Sequence, residues 1–131
     1  MAIRFIPDEL VPIIHADLIH RYSGHCGLRG THLLASALAQ PKMTSGGKFL
    51  NRSVVDKAAA YGFHVCKNHP FIDGNKRIAF VLMDIFLHEN GWEVNAPEEE
   101  AYVTMIELST GKLTKAQLSA WLRKNTSRPS L

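Results

Sequence analysis

Nine consecutive residues hold most of the chemistry that this sequence offers: His69-Pro70-Phe71-Ile72-Asp73-Gly74-Asn75-Lys76-Arg77. They lead directly into the apolar stretch Ile78 to Leu87, which reads as a helix. A helix start presents unpaired backbone N–H groups and the positive end of the macrodipole, and both favour anions. Gly74 permits the close backbone approach that a phosphate cradle requires. Lys76 and Arg77 add fixed positive charge beside it, and the planar fork of Arg77 can grip two phosphate oxygens. Asp73 contributes a hard oxygen of the kind Mg²⁺ takes when phosphate and water fill most of its shell. These features predict a polyphosphate site. His69, on the loop entering that site, is an imidazole that accepts a proton near neutral pH, so it is the candidate general base. Pro70 and Phe71 read as structural support for the loop, one stiffening it and the other plugging into the core. Each residue alone also fits an ordinary capped helix start with solvated cations. The joint occurrence at the mouth of an apolar helix favours the site.

The elements that must hold this run are helical. Pro7-Asp8-Glu9 opens a first helix through Leu10, Ile13, Ile14, Leu18 and Ile19, which Pro12 either kinks or delays. Arg21 to Gly30 reads as a loop, and Thr31 is placed to cap a short helix ending at Pro41. Residues 41 to 51 form a flap, either a polar loop or a hairpin turning at Gly46-Gly47. Ser53-Val54-Val55-Asp56 is a capping box that starts a helix running to about Lys67-Asn68. The next helix begins around Asn75 and ends before Gly91, and its apolar residues point in every direction, which predicts a buried central helix. Trp92-Glu93-Val94 reads as extended. Asn95 is the candidate cap of a helix through Tyr102 and Leu108, and Thr114 to Gln117 is a second capping box before Leu118, Trp121 and Leu122. The expected fold is all-α, a compact bundle of about six helices with residues 1–131 as one domain and residues 125–131 a frayed tail.

Composition narrows the function classes. The 46% hydrophobic and 21% charged fractions are those of an ordinary globular chain. The N-terminus lacks the apolar core of a signal peptide, and no window approaches the ~20 apolar residues of a membrane span, so a cytoplasmic location and no membrane insertion are expected. Cys26 and Cys66 form no disulfide framework and read as packed free thiols. The net charge of +3 suits an anionic ligand, but no Lys/Arg-rich stripe marks a nucleic-acid surface, so no direct nucleic acid binding is expected. The other histidines, at 15, 20, 25, 32, 64 and 88, form no closely spaced metal pair and read as surface or core residues.

The run from His69 to Arg77 resembles the Fic signature, His-x-Phe-x-Asp/Glu-Gly-Asn-Gly/Lys-Arg. Gly27-Leu28-Arg29-Gly30 and Leu33 to Pro41 resemble the early helix and flap entrance of the death-on-curing (Doc) branch of the Fic/Doc superfamily. The likeness spans residues 5 to 124 or so. It implies a Fic/Doc fold and ATP as co-substrate with Mg²⁺. His69 would deprotonate a target hydroxyl, Asp73 would bind the metal, and Gly74, Asn75, Lys76 and Arg77 would hold the nucleotide phosphates. Within the family, Fic enzymes transfer a nucleotidyl group to a protein, whereas the Doc toxin phosphorylates elongation factor Tu and stops translation. Lys76 is the Doc-like choice and Gly74 the Fic-like one. The Ser/Thr-x-x-x-Glu-Gly/Asn inhibitory motif of many Fic enzymes is not found, because Ile85 stands four residues before Glu89-Asn90. The resemblance therefore implies a Doc-type toxin restrained by a separate antitoxin of the Phd type. A nucleotidyl (AMP) transferase and a catalytically silent binding module are the alternatives.

Overall fold

A reciprocal pair of hydrogen bonds starts the longest run of core residues: Ser53 Oγ accepts from the Asp56 N–H at 2.9 Å, and the Asp56 carboxylate accepts from the Ser53 N–H. This is the capping box expected from sequence, and it begins helix α3, Val54–Asn68, in the computed structural model, which describes residues 2–129. The Thr114–Gln117 box likewise starts α6, Lys115–Lys124. The other helices are α1 Leu10–Tyr22, α2 Thr31–Ala39, α4 Asn75–Glu89 and α5 Glu98–Ser109. Strand among the described residues is confined to two antiparallel pairs, β1 Thr44–Ser45 with β2 Lys48–Phe49, and β3 Glu93–Val94 with β4 Thr126–Ser127. The all-α class and the six helices are those expected. The flap is a hairpin, because Gly46 and Gly47 have φ of 58° and 79°, the left-handed pair that a two-residue turn requires.

Several expectations change. Thr31 is the first helical residue of α2 rather than its cap, and Gly30 precedes it without a side-chain bond. Pro97, not Asn95, precedes α5, and the Asn95 amide instead donates to Ser127 Oγ. The tail expected to fray from Asn125 is held at Thr126–Ser127 by β3, while residues 130 and 131 lie outside the described part. Helix α4 is central but not buried all round. Arg77, Asp84 and His88 are exposed with Val81 half-buried between them, at spacings of four, three and four residues that form one solvent-facing stripe. Cys66 is packed but Cys26 is exposed.

The core forms where α3 crosses α4. Ala58, Ala59 and Ala60 are fully buried, and Gly62 lies so close to Met83 that the α4 side chain takes the space of a Cβ. Leu82, Phe86, Leu118 and Leu122 fill the rest, each contributing about 1.5–3 kcal/mol through its burial. Lys57 is 1% exposed, yet its ammonium donates to the Asn51 and Arg52 carbonyls at 2.8 Å each and lies 4.2 Å from the centre of the Phe49 ring. A buried cation thus ties the flap to α3 with its donors satisfied. The tight packing of α3 on α4 also fixes the end of one helix against the start of the other. The connection between them, residues 69–74, is the candidate site.

Candidate active site

Helix α3 ends at His69, which takes the left-handed conformation, φ 50° and ψ 56°, and is exposed. That conformation costs an L-residue roughly 1–2 kcal/mol, so neighbouring bonds must hold it. The Arg29 side chain reaches the end of α3, Nε donating to the His69 carbonyl at 2.7 Å and Nη2 to the Asn68 carbonyl at 3.2 Å. The Arg29 N–H donates to the Pro70 carbonyl at 2.7 Å, and the Ile72 N–H donates to the Gly27 carbonyl at 2.9 Å, so residues 27–29 lie against the loop like a short strand. Pro70 and Phe71 are buried, as their support role requires. Phe71 stacks on His15 of α1, with ring centres 3.7 Å apart and planes at 8°. His15 Nε2–H donates to the Asp73 carbonyl at 2.7 Å, anchoring the far end of the loop as well.

Asn75 has a structural part besides the phosphate-binding one expected of it. Its side chain is 6% exposed, accepting from the Phe71 N–H at 3.0 Å and donating to the Phe71 carbonyl at 2.9 Å. The amide therefore braces the loop from inside, and only the Asn75 backbone N–H is left to meet an anion at the helix start. Gly74, φ 76°, makes the turn into α4, and a Cβ there would come within 3.1 Å of Ile19 and 3.5 Å of the His15 ring. Lys76 and Arg77 occupy the next two positions, both exposed. The Arg77 guanidinium lies 4.4 Å from the centre of the Tyr22 ring, on the α1 side. Burial pushes the Cys66 thiol of α3 up to about 11, and the Lys76 charge pulls against that rise. Both cations stand in the first turn of α4.

The Asp73 carboxylate accepts from the His25 N–H at 3.1 Å and from the Gly74 N–H at 2.8 Å. These two bonds, His25 first, hold its carboxyl below the usual carboxylate range, so it is ionised at neutral pH. A carboxylate has about four lone-pair sites, so two N–H donors leave room for a cation. One exposed, oriented, hard oxygen group suits Mg²⁺ that draws its remaining ligands from phosphate and water.

The structure thus brings His69, Pro70, Phe71, Asp73, Gly74, Asn75, Lys76 and Arg77 to one loop and helix start. Sequence reading missed the second set that grips this loop: His15, Arg29 and the His25 amide. Only the two glycines flanking Leu28-Arg29 hinted at a close backbone approach there. His64 is half-buried near the end of α3, with the Lys115 ammonium 3.3 Å from Nε2, and burial together with Lys115 and Lys67 holds it down to about 4. Its ring is neutral at pH 7. Lys48 and Arg52 line an open cleft of about 310 Å³ beside the flap, and another of about 360 Å³ lies between Leu50 and α6. Neither cleft is lined by the motif, whose chemistry sits on an open surface.

Two comparisons with known proteins bear on the family of this chain. The chain is 37% identical over 75 residues to a protein named Toxin Doc from Mycolicibacterium smegmatis (strain ATCC 700084 / mc(2)155). The match covers 57% of this chain and 58% of that protein, so the chain spans somewhat more than half the length of this relative. The sequence profile of the Fic/DOC family matches residues 5–87, which include α1, the flap, the motif loop and nearly all of α4. With the match covering more than half of the chain and the motif built into one rigid loop, this protein belongs to the Fic/DOC family.

Proposed function

We propose that this chain is a Doc-type toxin that transfers a phosphoryl group from ATP to a hydroxyl side chain of a protein target. The observation that carries the reading is the shared loop: His69 exposed at one end of it, and ionised Asp73 at the other, beside a helix start bearing Lys76 and Arg77. In this reading the first-turn N–H groups of α4, with Lys76 and Arg77, bind and orient the phosphates. Asp73 would hold Mg²⁺, which when bound would supply positive charge against the charge that builds on the transferred group. His69 takes the proton of the target hydroxyl as its oxygen bonds to the γ-phosphorus. The bond to the bridging oxygen breaks, and ADP leaves. Little further covalent chemistry is asked of the protein, because phosphoryl transfer is largely positioning and charge stabilisation.

Lys76 favours phosphoryl over nucleotidyl transfer. A glycine at the second helical position would leave an open nest that wraps a diphosphate and presents the α-phosphate. A lysine there fills that space and adds charge, so ATP would bind in another orientation, with the γ-phosphate nearest His69. Gly74 supports the nucleotidyl (AMP) transferase as the second reading. The relative's name supports the toxin reading and, with it, an antitoxin partner; in this reading, by family resemblance alone, the target is elongation factor Tu and the antitoxin is of the Phd type. His69→Ala tests the assignment: label transfer from ATP to a lysate protein should vanish, while the circular dichroism spectrum and the affinity for ATP stay near wild type. Undiminished transfer would remove His69 from the reaction.

A further inference from the structure

Arg29 stands out among the residues that no part of the proposed chemistry uses. It is exposed on the loop before α2, yet it donates three hydrogen bonds to the carbonyls of three successive residues of another segment, Asn68, His69 and Pro70. We propose that Arg29 is the positioning residue for His69, holding the imidazole where a target hydroxyl can reach it. The inference rests on the reading of His69 as the base.

The Asn68 carbonyl belongs to the peptide plane before the His69 Cα, and the His69 carbonyl belongs to the plane after it. One planar guanidinium bonded to both oxygens ties the two planes together. With both planes fixed, φ and ψ of His69 are fixed, and so is the direction of its Cα–Cβ bond. The conformation held is left-handed, which a histidine leaves readily when nothing restrains it. Those carbonyls also end α3 and lack helical partners, so a cationic donor there is favoured by the helix dipole. A lysine could supply the charge but not a rigid fork reaching two acceptors. Placement errors of about 1 Å in a reacting group lower rates about 100-fold, so a rotated His69 is a matter of turnover rather than of folding.

The test compares wild type, Arg29→Lys and Arg29→Ala, with transfer summed over ATP labelled at the α and at the γ position. In parallel, the His69 imidazole and the backbone amides of residues 68–72 are followed by NMR. Both variants should turn over about 10- to 100-fold more slowly than wild type. Half-saturating ATP should change less than about threefold, the thermal midpoint should stay near wild type, and added methylguanidinium should partly restore Arg29→Ala. The His69 signals should shift or broaden in both. Wild-type turnover in Arg29→Lys, or a loss that only matches an unfolded fraction, would overturn the inference. If Arg29→Ala fails to fold, Arg29→Lys carries the comparison alone. If wild type transfers neither label, the transferase reading fails, and the NMR signals still decide whether Arg29 orients His69: unchanged signals in folded variants mean that it does not.

Discussion

Replacing Asn75 by alanine removes two hydrogen bonds that are both made to the backbone of one residue, Phe71, which is 1% exposed. No solvent reaches the N–H and carbonyl left behind, so each loses a partner without regaining water. An unsatisfied buried polar group costs about 1–3 kcal/mol, and the better helix propensity of alanine returns less than about 0.7 kcal/mol. The net loss is therefore about 2–5 kcal/mol, which for a chain of this size lowers the thermal midpoint by roughly 10 °C. Amide exchange at Phe71 locates the effect, because its protection should fall even if the loop opens without global unfolding. Asn75→Asp is the matched control. It keeps an acceptor for the Phe71 N–H but sets a carboxylate against the Phe71 carbonyl, so it should be at least as damaging at neutral pH. Partial recovery is expected in acid, where a protonated carboxyl can donate again. An Asn75→Ala protein that melts within 1 °C or so of wild type, with Phe71 still protected, would refute the bracing role.

Gly62→Ala should cost about 1–3 kcal/mol in chemical denaturation, because the new Cβ meets the Met83 side chain inside a closed core. His64 is held neutral in the folded protein, with its pKa near 4, and titrates nearer 6.5 when unfolded, so its contribution to stability is complete above about pH 6.5 and is lost as the pH falls toward 4. Denaturation midpoints from pH 7 to pH 4 should therefore fall less steeply in His64→Gln than in wild type. Asp73→Asn keeps an oxygen for one N–H donor but loses the charge; calorimetry should show ATP affinity no longer responding to Mg²⁺, with the unfolding curve little changed.

What was legible in the sequence was local. The boxes at Ser53–Asp56 and Thr114–Gln117, the glycine pair of the flap and the stop at Gly91 each involve residues within a few positions of one another, so their physics is written in the spacing. The motif was legible for the same reason, since His69 to Arg77 is a single turn into a single helix. Its supports were not. The reach of Arg29 across to residues 68–70 and the stacking of His15 on Phe71 depend on how three helices pack, and no spacing encodes that. The bracing of Phe71 by the Asn75 side chain was not legible either, because residue type alone does not say whether an amide faces a ligand or its own loop. The tail was misread similarly: Thr126–Ser127 has no local reason to be ordered until β3 is placed beside it. In α4, apolar content hid the stripe at 77, 81, 84 and 88, where Val81 stands on a face that is otherwise polar.

The most direct test of the central claim is to ask which phosphate of ATP reaches the protein target. Wild type and Lys76→Gly are each incubated with bacterial lysate and ATP labelled at the α or the γ position. Phosphoryl transfer directed by Lys76 predicts that wild type delivers the γ-label and not the α-label, and that Lys76→Gly loses γ transfer. Delivery of the α-label alone by wild type would contradict the account and leave the nucleotidyl transferase in its place.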